Sequence, residues 1–390
     1  MTHQPRTVVS APRLLVDGVV TGPGAVVLED GRIVEVLDHV PDQVDVRLDH
    51  GLLSPGLVDV QINGFAGVDF ASATAEDWDS VDRALPRSGV TAYVATFITA
   101  PVEDLAESLS LTASRRAAGP VDGGARLVGA HVEGPFLSPR YRGAHDADLM
   151  RDPTPEALDV LLAAPGREAL TILTLAPERD HAIDAVKRLA ADGVVVSIGH
   201  TDATGAVVTA AADAGARMVT HLFNAQRPLG HREPGVPGQA MSDDRLVVGL
   251  IPDLQHVSAP IVRVILRACA GRVVLVTDAV AAAGMPPGRY ELGGEDLHVS
   301  DDGTLPRRAD GTIAGSVLTL DEGVRNVVAQ GVDLATALEA ATRVPADLVR
   351  RTDLGRLEPG ARADLVWFDD DLRVQRTWVD GRVVAEAGQA

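Results

Sequence analysis

Apolar runs alternate with helix-periodic stretches through most of this chain. Eight runs rich in Val, Leu, Ile and Ala stand at residues 57–63, 90–98, 125–133, 170–176, 194–200, 217–222, 246–252 and 272–278. Runs of this length read as strands. Most are followed by an amphipathic helix candidate, among them 102–118 (VEDLAESLSLTASRRAA), 181–193 (HAIDAVKRLAADG) and 259–271 (APIVRVILRACAG). Eight successive βα units in one chain predict an α/β fold, a (β/α)8 barrel of the TIM type. A doubly wound open sheet is the competing architecture, but the first run lacks the glycine-rich phosphate turn expected of a dinucleotide-binding fold. Residues 284–306 read as a hairpin insertion, and 321–351 as helices that close the structure.

The two ends follow another grammar. Residues 13–37 carry short Val/Leu/Ile runs broken by Asp17-Gly18 and Asp30-Gly31, and the tail repeats this with LVWF, RTWV and Asp380-Gly381. Asp-Gly between apolar runs is a strong local signal for a β-hairpin. Neither end has enough strands to bury a core alone, so both are expected to build one small β-sandwich. The expected division is 1–54 and 351–390 for the sandwich and 55–350 for the barrel.

Composition narrows the function. With 35 basic and 55 acidic side chains the formal charge is −20, and no long Lys/Arg run offsets it, which argues against nucleic acid and anionic membranes as partners. The single cysteine, Cys269, excludes an intrachain disulfide framework and reads as a small buried apolar residue. Residues 1–12 carry no apolar run long enough for a signal peptide, and no later segment approaches about 18 uncharged apolar residues, so a cytoplasmic protein is expected.

If the runs are barrel strands, their C-terminal ends face the active site. The first ends in Gln61-x-Asn63, the third in His131-x-Glu133, the fifth in His200 and the sixth in His221, with Asn224 just beyond. The seventh approaches Asp253 and His256, and the eighth ends in Asp278. Polar side chains at the ends of apolar strands are costly to bury without partners, which argues for a shared ligand. Glu133, His200 and His221 supply one carboxylate and two imidazoles, the donor set of a catalytic divalent metal with one position left for water. Asp278 then fits the general base that takes a proton from that water and returns it to a leaving group. The alternative is that these are satisfied core or surface side chains. His131 is expected to support the site from behind Glu133, whereas His39, His50, His181 and His298 read as surface residues. The loop from Asn224 to Gly235 gathers Arg227, His231 and Arg232, a local cationic feature that suits an anionic substrate group, or else a solvated loop paired with surface carboxylates.

Several ordered strings carry a resemblance. LLSPGLVDVQINGFAG, HVEGPFLSPRYRGAHD, TLAPE, IGHTDAT, THLFNA followed by HREPG, LVTDAV and GTIAGS occur in this order, and the resemblance they carry runs from about Leu52 to Asp364 and into the terminal β-domain. In this order they resemble the N-acetylglucosamine-6-phosphate deacetylase family of the amidohydrolase superfamily. The resemblance implies a barrel with a sandwich from both termini, and metal-dependent hydrolysis of the acetamide of a phosphorylated amino sugar. It implies Glu133, His200 and His221 as metal ligands, Asp278 as acid and base, and His145 as a contact near the acetyl group. Asn224 and Ala225 would meet the phosphate, His256 the sugar hydroxyls, and Arg232 the phosphate of a neighbouring subunit in a homodimer. Where many amidohydrolases have His-x-His for a second metal, this chain has Gln61-x-Asn63, weak ligands at best, so one divalent ion per subunit is expected, zinc first and ferrous iron second. Leu254 and Gln255 before His256, and Gln226 after Ala225, depart from the family pattern beside expected substrate contacts. They leave an N-acetylgalactosamine 6-phosphate preference open.

Overall fold

The computed structural model describes residues 5–301 and 305–388. Eight parallel strands form one sheet in sequential order: β1 (Leu57–Ile62), β2 (Val90–Ile98), β3 (Arg126–Glu133), β4 (Leu170–Leu175), β5 (Val195–Ile198), β6 (Met218–Val219), β7 (Val247–Leu250) and β8 (Val273–Leu275). Helices follow them: α1 (Ala75–Ala84), α2 (Val102–Ala118), α3 (Pro155–Ala163), α4 (Ala182–Ala191), α5 (Gly205–Ala214), α6 (Gly235–Ser242), α7 (Ala259–Ala268) and α8 (Leu320–Ala329). The expected (β/α)8 barrel is therefore the observed one, and the open-sheet alternative fails. Cys269 is fully buried, as expected for a small apolar residue.

The seam between β1 and β8 closes in two ways. At the C-terminal end the Asp278 amide donates to the Gln61 carbonyl at 2.9 Å and the Asn63 amide to the Ala279 carbonyl at 2.8 Å. At the other end residues 340 and 341 wedge between the strands: Ala341 accepts from the Val58 amide and Ala340 from the Leu275 amide, both at 2.8 Å. The upper contact sets Gln61 and Asn63 beside Asp278.

Both termini build two further sheets. Thr7–Ala11, Gly24–Glu29, Arg32–Leu37 and Val46–Arg47 form a four-stranded sheet. Leu14–Val16, Val19–Thr21, Leu52–Pro55, Leu365–Phe368, Val374–Val379 and Arg382–Glu386 form a six-stranded one. Their inner faces share a core that includes Val9, Val26, Ile33, Leu53, Leu365 and Trp378. Asp17-Gly18, Asp30-Gly31 and Asp380-Gly381 lie at hairpin turns, with both residues of each pair at positive φ. The insertion after β8 is a hairpin, Gly288–Leu292 against Glu295–Val299, and part of it, residues 302–304, lies outside the described residues.

Strands β6 and β8 are shorter than their apolar runs. The physical reason is visible in the backbone: His200, His221 and Asp278 adopt φ of 46°, 27° and 50°. These residues stand two or three positions beyond the last strand residues Ile198, Val219 and Leu275, and their left-handed backbone turns the chain across the barrel mouth.

Candidate metal centre and active site

Glu133, His200 and His221 come together on three strand ends. Glu133 Oε1 lies 3.0 Å from His200 Nε2 and 3.1 Å from His221 Nε2, and the two nitrogens are 3.2 Å apart. Four ligands about 2.0–2.1 Å from a tetrahedral zinc stand about 3.3–3.4 Å from one another, so these three atoms have nearly the spacing of three corners of such a site. All three residues are buried. The His221 Nδ1 has no partner among the described residues, and that of His200 faces the Tyr141 carbonyl at 2.9 Å. That carbonyl can only accept, so His200 carries its proton on Nδ1 and turns a bare Nε2 to the centre, the tautomer a metal requires. The loop supplying Tyr141 approaches so closely that a Cβ at Gly143, φ +56°, would sit 3.0 Å from the His200 ring. The donor set fits a divalent metal.

Electrostatics concur. Burial opposes the charge of Glu133, but the three histidines around it prevail and hold its carboxyl well below the usual range. Burial likewise opposes protonation of His221, and Glu133 overrides it and raises the imidazole. Asp278 is pushed up to about 6, first by burial and then by the charge of Glu133. A carboxyl poised there can both accept and return a proton near neutrality.

Gln61 and Asn63 are both buried, and their amide nitrogens point at the carboxylates. Gln61 Nε2 donates to Glu133 Oε2 at 3.0 Å and approaches Asp278 Oδ1 at 3.3 Å, while Asn63 Nδ2 donates to Asp278 Oδ1 at 2.8 Å. Donor hydrogens thus occupy the side of the carboxylates where a second cation would bind. One layer lower, His131 Nε2 lies 2.7 Å from Thr174 Oγ1 in a buried chain that continues through Thr220 to Ser197. Burial pushes His131 down to about 4, so it stays neutral beneath Glu133, where the sequence placed it.

These groups open into a cavity of about 500 Å³ that also contains Asn63, His145, Asn224, Ala225 and His256. His256 is held by Asp253, Nδ1 to Oδ2 at 2.6 Å. At Arg227 the cationic loop follows the second of its two readings, a loop paired with carboxylates. Arg227 turns to Asp202, Nη2 to Oδ1 at 2.9 Å, and His231 and Arg232 stand exposed outside their own chain's cavity. The arginines that line it are Arg140 and Arg307, which the sequence reading did not single out. Arg140 pairs with Asp202 at 2.8 Å, whereas Arg307 gives one nitrogen to the Gly311 carbonyl and has no carboxylate partner among the described residues. Gln226 faces inward, bonding the Phe223 amide and the Thr220 carbonyl, and neither it nor Leu254 or Gln255 lines the cavity.

Comparison with known proteins agrees with this architecture. Residues 52–384 match the model of the amidohydrolase family. An N-acetylgalactosamine-6-phosphate deacetylase of Escherichia coli O157:H7 is 36% identical over 99% of this chain and 100% of its own length. A mouse (Mus musculus) N-acetylglucosamine-6-phosphate deacetylase is 39% identical over 87% of this chain and 85% of its own. Among solved structures, a Mycobacterium smegmatis N-acetyl-D-glucosamine-6-phosphate deacetylase variant in complex with N-acetyl-D-glucosamine 6-phosphate is 37% identical, with a TM-score of 0.92 over 98% of this chain and 100% of that one. By fold, donor set and sequence, this chain belongs to the amidohydrolase family, within its group of amino-sugar-phosphate deacetylases.

Proposed function

We propose that the chain hydrolyses N-acetyl-D-glucosamine 6-phosphate to D-glucosamine 6-phosphate and acetate. The observation that carries this reading is the Glu133, His200 and His221 triangle set against Asp278 inside a cavity large enough for a sugar phosphate. A divalent ion held by those three residues, zinc in our reading, supplies a Lewis acid and lowers the pKa of water. Asp278 takes the attacking water's proton, held in line by the Asn63 and Gln61 amides, and delivers it to the nitrogen as the amide C–N bond breaks and acetate leaves. His256 and Asn224 line the cavity beyond this centre and are assigned to the sugar and phosphate. Arg307, with no carboxylate partner among the described residues, lines the cavity and is assigned to the phosphate, and Arg232, exposed outside its own cavity, is assigned to a second copy in a homodimer. No helix among the described residues is long and apolar enough to cross a membrane. A cytoplasmic setting is part of the proposal.

A second reading, N-acetylgalactosamine 6-phosphate as substrate, is favoured by the E. coli relative's end-to-end match. Acetate release from N-acetyl hexosamines with and without the 6-phosphate tests both. The expected result is the highest kcat/KM on N-acetylglucosamine 6-phosphate. A higher value on the galactosamine epimer moves the assignment to that sugar, and no release from any of them rejects the function.

A further inference from the structure

His145 poses a question that proximity alone answers wrongly. Its Nε2 lies 3.8 Å from Glu133 Oε1, and Glu133, His145 and His200 offer donor atoms within 4.8 Å of one another, so by distance it is a further metal ligand. Its other nitrogen decides the matter. Nδ1 faces the backbone N–H of Thr99 at 3.3 Å and the Thr99 hydroxyl at 2.8 Å. A backbone N–H has a proton and no lone pair, so the nitrogen it meets is the bare one, and the hydroxyl, free to rotate, donates too. A neutral imidazole with a bare Nδ1 carries its proton on Nε2.

We infer that Thr99, at the end of β2, is a positioning residue that locks His145 in the Nε2–H tautomer, making it a hydrogen-bond donor into the cavity and not a metal ligand. His200 is its opposite: the ring centroids are 4.3 Å apart, yet the Tyr141 carbonyl puts the His200 proton on Nδ1. Two adjacent histidines thus take opposite tautomers, one to bind a cation and one to donate, one set at the end of β2 and the other by the loop after β3. The consequence for catalysis rests on the deacetylase reading: the Nε2–H is placed to bond the acetamide oxygen as negative charge develops on it.

The test is 15N NMR of the full-length protein with labelled histidine, the His145 signals being assigned by their loss in His145→Asn. The expected spectrum has a protonated Nε2 and a bare Nδ1, and a protonated Nδ1 overturns the inference. Thr99→Val removes the shorter contact. It is expected to give a mixed tautomer signature and a kcat lower by about 10-fold, with Thr99→Ser restoring both. An unchanged tautomer and kcat in Thr99→Val would overturn the role of Thr99. If the wild-type protein released no acetate the proposed function would fail, and the spectrum would still decide the tautomer.

Discussion

Three of the four side chains to which the proposal assigns the chemistry sit on backbone that residues other than glycine rarely adopt. His200, His221 and Asp278 are left-handed two or three residues beyond the ends of their strands. Each costs about 1–3 kcal/mol, sustained because the surrounding structure over-determines the turn. The return is direction: a residue continuing the strand would alternate up and down it, whereas these reach across the mouth. Replacing Asp278 with Asn keeps size and shape but removes the proton acceptor. The variant is expected to bind metal normally and to lose about 10²–10⁴-fold in kcat, measured by acetate release alongside metal content. Retained turnover would contradict the role given to Asp278. Gly143→Ala addresses the support of His200 instead. The new methyl, crowding the ring at 3.0 Å from a left-handed position, is expected to weaken metal affinity by about 10-fold, read by competition with a chelator.

At the scale of elements, the hairpin after β8 does more than cover the barrel. Its downstream arm is tied to the base: the Ser316 amide donates to the Asp278 carbonyl at 2.8 Å, and Gly315, φ +63°, passes so near that a Cβ would fall 2.6 Å from that oxygen. Arg307 pairs in register with His298 on one side and Ile313 on the other, so its backbone is held in a short ladder rather than a loose loop. Arg307→Ala is expected to reduce the preference for phosphorylated over unphosphorylated N-acetylglucosamine by about 10-fold, the loss of a charged hydrogen bond. An undiminished preference would move the phosphate contact elsewhere. The sequence could not reveal this arginine, because a hairpin's period-two pattern says nothing about which cavity it overhangs. The choice between the two readings of Arg227 was not legible for the converse reason: Asp202, 25 residues earlier, holds that side chain, and such a pairing leaves no local signature. The strands, the Asp-Gly turns and the polar residues at strand ends were legible because period, turn chemistry and burial cost all act within a few residues.

Across the whole molecule, barrel and terminal sheets are joined by charge as well as by packing. Arg126, the first residue of β3, reaches Asp380 in the sandwich at 2.6 Å, and Arg362 meets the same carboxylate at 2.5 Å. Asp364 lies buried beside them, accepting from the Asp380 amide at 2.8 Å. Burial first, then the charge of Asp380, pushes it up to about 6 from 3.8. The folded state therefore holds this proton more tightly than the unfolded chain, so stability associated with it is present below about pH 4 and is lost as pH rises through 6. Asp364→Asn removes the titration. It is expected to match the wild type near pH 4 and to exceed it above pH 7 by up to about 3 kcal/mol, from urea midpoints at both pH values. Parallel curves would contradict the burial argument. The overall charge of −20 has its own consequence. It repels a sugar phosphate at long range, so capture depends on local groups inside a screening length of about 8 Å at physiological salt. The proposed catalytic centre has three metal-binding side chains and one base, and metal titration of the stripped enzyme examines it most directly. Acetate release from N-acetylglucosamine 6-phosphate should rise linearly with added zinc and saturate at one ion per chain. Full activity without metal, or saturation only at two ions per chain, would contradict it.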